Sequence, residues 1–201
     1  MKINKDTRIA FLSTIIGDGT ISSKGSATIK HSSAQKDYVE WKFRYLSSKG
    51  ITCFPIRFVQ NSGDFYAYTF CIKTTSYSKL YRRILYKNGS KNFYKRKLLN
   101  HFKEEHLAIW YMDDGGLSQL KRDGRIVGNE LMLNTHTTKE NNQILIDYFK
   151  DVWGVQFSQC KNRGHYRLRC GTKEARKFLN IVRPYVDQIP SMSHKLAIKS
   201  D

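Results

Sequence analysis

The stretch YMDDGG, Tyr111–Gly116, decides how this chain is read. Extended to the left it becomes EEHLAIWYMDDGG, an apolar run at helical spacing that closes on two acids and two glycines. Asp113 and the glycines then read as a turn that delivers Asp114 from the end of a helix. A second stretch near the start answers it: IAFLSTIIGDG, residues 9–19, is again an apolar helix ending in Asp-Gly, which makes Asp18 the counterpart of Asp114.

The rest of the chain repeats in step with these two stretches. A short polar strand follows each (SATIKHSS, then ELMLNTHTT), and after it a helix over residues 35–51 or 139–155. Trp41 and Tyr45 in the first helix, like Leu145 and Phe149 in the second, take the i, i+4 spacing of a buried face. Two hairpin strands come next, CFPIRFVQ with FYAYTFCIK and VQFSQCK with HYRLRC, turning at Asn61–Asp64 and at Asn162–Gly164. SYSKLYRRILY and KEARKFLNIVRPYV close the halves. The pattern predicts an α+β fold of two pseudo-twofold αββαββα repeats, each with a four-stranded antiparallel sheet. Residues 1–95 form the first repeat and 96–201 the second, joined by a polar connector at about 91–105.

A helix that ends on a carboxylate works against its own macrodipole, and this sequence does so twice at equivalent places. Gly C-caps explain the glycines but not the acids. If the two helices pack side by side, with Ala10, Ser13, Gly17 and Ala108 allowing close approach, both carboxylates meet at one end. Like charges that close call for a cation between them. An all-oxygen site suits Mg²⁺, with Mn²⁺ able to substitute, and such an ion clamps phosphate oxygens during in-line displacement.

Charge points to the same chemistry. Thirty-five Lys and Arg against seventeen Asp and Glu leave +18 over 201 residues, and a polyanion is the usual partner of such a chain. Cys53, Cys71, Cys160 and Cys170 contain no Cys-x-x-Cys pair, which argues against zinc and for reduced thiols. No stretch has the length of a membrane span. The expected setting is intracellular: a bacterial or phage-infected cytoplasm, or an organelle matrix.

LAIWYMDDGG and FLSTIIGDG resemble the two copies of the LAGLIDADG motif in single-chain homing endonucleases. The second copy carries the stronger match, through Leu107-Ala108, while the first keeps the apolar helix and Gly17-Asp18-Gly19. The resemblance implies a monomeric, site-specific endonuclease that breaks both strands of DNA, with the motif helices packed between the repeats. It implies that Asp18 and Asp114 ligate divalent metal and position water, that the carbonyls of Gly17 and Asp113 complete the shell, and that the Asp113 side chain has a supporting role. It also implies a basic residue near each scissile phosphate, matched by Lys91 in SKNF and Lys195 in SMSHKL. The alternative with the same fold is an intron maturase, which binds intron RNA. A polymerase palm is excluded, since it would place Tyr-Met-Asp-Asp on a hairpin and need fingers and a thumb.

Alternation assigns DNA-binding residues to the free sheet faces. Tyr166-Arg167-Leu168-Arg169-Cys170 puts Arg167 and Arg169 on that face, with Arg122, Arg125 and Lys161 beside them. Lys24, Lys30, Arg57 and Lys73 are the first-half candidates. Thr69 and Cys71 answer Arg167 and Arg169, so the halves read different bases and the expected target is long and non-palindromic.

Overall fold

The computed structural model describes residues 4–87, 90, 91 and 94–196. The chain runs α1 (Lys5–Ile16), β1 (Thr20–Ile21), β2 (Ala27–Ser32), α2 (Lys36–Ser48), β3 (Arg57–Ser62), β4 (Phe65–Ile72) and α3 (Ser76–Leu85). A small ribbon follows, β5 (Tyr86–Lys87) with β6 (Ser90–Lys91), then α4 (Arg96–Leu99). The second half is α5 (Glu104–Asp114), β7 (Gly115–Arg122), β8 (Arg125–Thr137), α6 (Lys139–Trp153), β9 (Ser158–Asn162), β10 (His165–Gly171) and α7 (Thr172–Val186), closed by a 3₁₀ turn at Pro190–Lys195.

Both sheets are four-stranded and antiparallel with matching order, β1-β2-β4-β3 and β7-β8-β10-β9. This is the α+β architecture that the repeat implied. Every residue from Ile9 to Ile16 and from His106 to Met112 is buried, so α1 and α5 are covered on all sides. They pack against each other, and the buried Ser13 and Thr14 hydroxyls are satisfied by the Ala10 carbonyl one turn back. Aromatic clusters fill the space around them: Phe11 with Tyr77 and Tyr81, and Trp110 with Phe149 and Tyr94.

Several local expectations change. Gly115 and Gly116 are not a turn: α5 runs through Asp113 and Asp114, and the glycines open β7, paired with Leu133 and Met132. β7 and β8 form a long hairpin whose first-half counterpart is a two-residue β1. The buried stripe of α2 is Tyr38, Val39, Lys42 and Leu46, and Trp41 and Tyr45 are half-buried beside it in a stacked pair. Leu145 and Phe149 of α6 are fully buried as expected. The connector is partly structured, with α4 inside it and Tyr94 buried against Trp110; residues 92 and 93 of it lie outside the described residues.

Candidate active site

The ends of α1 and α5 open on a cavity of about 200 Å³ lined by Gly17, Asp18, Lys91, Asp114, Asn134 and His136, among others. Asp18 and Asp114 thus face one space. Burial, followed by the Asp113 charge, pushes the Asp18 carboxyl up to about 6. Burial, then Asp113 and Asp18, raises Asp114 to about 7. Trp110 Nε1 donates to Asp114 Oδ2 at 3.1 Å, from one turn earlier on the same helix. Asn134 Nδ2 donates to the Asp114 carbonyl at 3.1 Å.

Asp113 does not line this cavity. Its side chain is fully buried, with Oδ1 accepting from Lys42 Nζ at 2.5 Å and from the Tyr38 hydroxyl at 2.7 Å. Its Oδ2 accepts from the Asp18 backbone N–H at 3.1 Å, tying the two motif ends together. Burial alone would raise this carboxyl, but the Lys42 charge and the hydrogen bonds from Lys42 and Tyr38 hold it below the usual range. Gly17 makes room for it, because an added Cβ would fall on the Asp113 carboxylate. Lys42 Nζ also lies 3.1 Å from His31 Nε2, and His31 Nδ1 lies 3.5 Å from Asp18 Oδ2. Burial, then Lys42, pushes His31 down to about 3, so the ring is neutral at ordinary pH.

Two groupings of ligands therefore compete. The atoms of Asp18, His31 and Asp113 lie within 4.8 Å of one another, but Lys42 already supplies a cation between His31 and Asp113. The carboxylates of Asp18 and Asp114, both raised by burial and by the neighbouring Asp113 charge, face the open cavity, and their oxygen donors fit a hard divalent ion.

Lys91 and Lys195 sit at matching places. Lys91 Nζ donates to the carbonyls of Ile15, Gly17 and Gly19, wrapping the C-terminal end of α1. Lys195 Nζ donates to the Gly115 carbonyl at 2.6 Å, and its own carbonyl is held by the Tyr111 hydroxyl. A cation at each helix C-terminus offsets the macrodipole that the acids oppose. Burial lowers both lysines, while the aspartates raise them in part.

The basic residues divide by face. Arg57 pairs across the strands with Thr69, and Lys30 with Thr69 on its other side, which places both on the face away from the helices, with Lys73 beyond the end of β4. Arg167 and Arg169 alternate with the buried Leu168 and Cys170; Arg169 Nη1 meets Glu130 at 3.3 Å, and Arg167 Nε is buried without a hydrogen-bond partner. Lys161 is a correction. It lies directly opposite Tyr166, so it shares the face of Tyr166 and Leu168 and points away from Arg167 and Arg169. Arg122 and Arg125 face each other at the tip of the β7–β8 hairpin, around left-handed Asp123 and Gly124. Lys24 lies in the β1–β2 turn, lining a basic crevice with Lys79, Arg82 and Arg83.

Sequence reasoning missed His31, Tyr38, Lys42, Trp110 and Asn134. The signal for Lys42 was present: Tyr38, Lys42 and Leu46 fall on one i, i+4 stripe, so a lysine stands in the middle of an apolar face.

A family model described as the LAGLIDADG DNA endonuclease family matches residues 11–178. The uncharacterized protein MJ1098 of Methanocaldococcus jannaschii is 26% identical over 206 residues, covering 99% of this chain and 76% of that protein. The intron-encoded endonuclease ai4 of Dictyostelium discoideum is 31% identical over 140 residues, 68% of this chain and 80% of its own length. The chain spans less than half the length of the RecA proteins that it also matches. Among solved structures, the homing endonuclease I-WcaI bound to its DNA recognition sequence shares the fold, with a TM-score of 0.80 at 21% identity, over 100% of this chain and 89% of that one. Motif, fold and family model agree over most of the length: the chain belongs to the LAGLIDADG DNA endonuclease family.

Proposed function

We propose that this protein is a divalent-metal-dependent endonuclease that hydrolyses one phosphodiester in each strand of a long, non-palindromic DNA target, acting as a monomer. The observation that carries it is the meeting of Asp18 and Asp114, from equivalent helix ends, at one cavity where burial and then the charge of neighbouring aspartates raise each carboxyl. These two carboxylates would hold Mg²⁺. The Gly17 and Asp113 carbonyls lie at the same helix ends, but Gly17's accepts from Lys91, so the ligation proposed rests on the carboxylates. When bound, the ion would supply Lewis acidity toward a phosphate oxygen. Lys91 and Lys195, one at each helix end, would offset the negative charge that develops on each scissile phosphate. The Arg- and Lys-bearing sheet faces would hold the flanking duplex.

Metal and protons should compete for the acids. With carboxyls at about 6 and about 7 in the metal-free protein, Mg²⁺ affinity should rise with pH through that window, and binding at pH 6 should release protons. Both values lie above the unfolded 3.8, so this pair's contribution to stability is present below about 4 and lost as pH rises through 6 to 7. Added Mg²⁺ should therefore raise Tm more at pH 8 than at pH 5. Calorimetry in two buffers of unlike ionisation enthalpy reads the release directly, and identical heats in both at pH 6 would speak against ligation by these acids.

The asymmetric readers give a second expectation. Arg167→Ala or Arg169→Ala should weaken binding by ~1–3 kcal/mol for each guanine contact removed and relax base preference in one half-site alone. Gel shifts on half-site variants measure this, and tighter binding to a perfect palindrome would refute the non-palindromic target.

A further inference from the structure

The two acids of the cavity are held by different devices. Asp114 is held by its own helix, through Trp110. Asp18 stands at the end of a buried chain: Asp113 Oδ1 binds Lys42 Nζ, Lys42 Nζ approaches His31 Nε2, and His31 Nδ1 faces Asp18 Oδ2. An ammonium group has donors only. His31 Nε2 must then accept, which leaves the ring proton on Nδ1, aimed at Asp18. At 3.5 Å the contact orients the carboxylate electrostatically and falls short of a full hydrogen bond.

Among the described residues, the second half has no such chain. The buried stripes of α2 and α6 run in step, so Leu145, one turn before Phe149, stands where Lys42 precedes Leu46. Thr135, two residues after the buried Leu133 as His31 is two after Ile29, turns its hydroxyl to Asn142 at 2.7 Å. Gly17 occupies the place that corresponds to Asp113. A salt-bridged lysine with no exposed side-chain surface is costly to desolvate, and among the described residues it occurs once, at Lys42.

We propose that Asp113, Lys42 and His31 form a positioning relay that orients Asp18 alone, so that scission of one DNA strand depends on the relay and scission of the other does not. The strand-specific part rests on the endonuclease reading above; the relay itself does not. Supporting groups that orient ligands commonly change affinity or rate by ~10–100-fold when removed. His31→Leu should slow cleavage of one strand at least about tenfold and leave the other within about twofold. His31→Asn, whose amide N–H can stand near the Nδ1 position, should restore most of that loss.

Two measurements test this. Rates on a target with each strand labelled separately give the strand ratio, and an unchanged ratio in His31→Leu would overturn strand specificity. Two-bond ¹⁵N–¹H correlations of the imidazole, with Mg²⁺ absent, give the tautomer without any cleavage. The expected result is a neutral His31 protonated on Nδ1, with that preference lost in the Lys42→Met/Asp113→Asn pair; an Nε2–H tautomer in the wild-type protein would overturn the relay. A wild-type protein that binds DNA without cutting it would count against the endonuclease reading and leave the tautomer to decide the relay.

Discussion

Asp18→Asn and Asp114→Asn should each abolish double-strand cleavage while leaving DNA affinity within a few-fold of wild type. Each substitution keeps the side chain's size and removes its charge, so packing at the helix ends is preserved. Asn is a poorer ligand for a hard cation than a carboxylate. The loss expected is several orders of magnitude in rate, because the centre loses a ligand and the water it would position. Affinity should survive, because the basic sheet faces that would hold the duplex are built on other elements. Cleavage at the wild-type rate by either variant would remove its acid from the centre, and equal losses of binding and cleavage would make the acids structural.

The second large effect is on folding. Lys42→Met should cost ~3–5 kcal/mol, since it leaves Asp113 as a buried charge without its partner. The side chains of Lys42 and Asp113 both have no exposed surface, so water cannot take the lost partner's place. For a domain of this size the midpoint should fall by roughly 2–4 °C per kcal/mol. Adding Asp113→Asn removes the stranded charge and should recover much of the loss, because the one oxygen of a neutral amide can still accept from the Asp18 N–H while its NH2 donates to the Tyr38 hydroxyl, which can itself donate to the Ile109 carbonyl. Urea unfolding of the two single variants and the pair gives the coupling energy. Additive losses would show that the ion pair does not hold the motif ends together.

Much of this architecture was legible because the sequence says it twice. Two apolar runs ending in Asp-Gly, each followed by the same order of elements, defined both central helices and both sheets. Local geometry was legible only where a residue has one strong preference. Gly164, at φ 88°, sits in the β9–β10 hairpin turn foreseen at Asn162–Gly164. Gly115 and Gly116 misled, since the same glycine signal can open a strand, and here β7 is secured by pairing with β8, a long-range contact that no local pattern reveals. Lys161 misled for a related reason: its face follows from the register with Tyr166 across the hairpin.

At the site, the two acids were legible from their repetition, but the network beneath them was not. Asp113 looked like half of a turn until the structure set its carboxylate against Gly17, in space that only a missing side chain leaves open. His31 and Lys42 come together because β2 and α2 pack face to face. Their meeting is a tertiary event, although a lysine within an apolar helical stripe was a visible sign that a buried charge needed a partner.

Two carboxylates at the end of a pseudo-twofold helix pair are proposed to make a metal-dependent DNA-cutting centre. Its most direct test is incubation of the protein with a randomised duplex library, with and without Mg²⁺, followed by sequencing of the cut ends. The expected result is Mg²⁺-dependent breaks in both strands within one long, asymmetric sequence, absent with Asp18→Asn or Asp114→Asn. A protein that binds duplex or structured RNA but leaves every DNA intact in Mg²⁺ and in Mn²⁺ would contradict it.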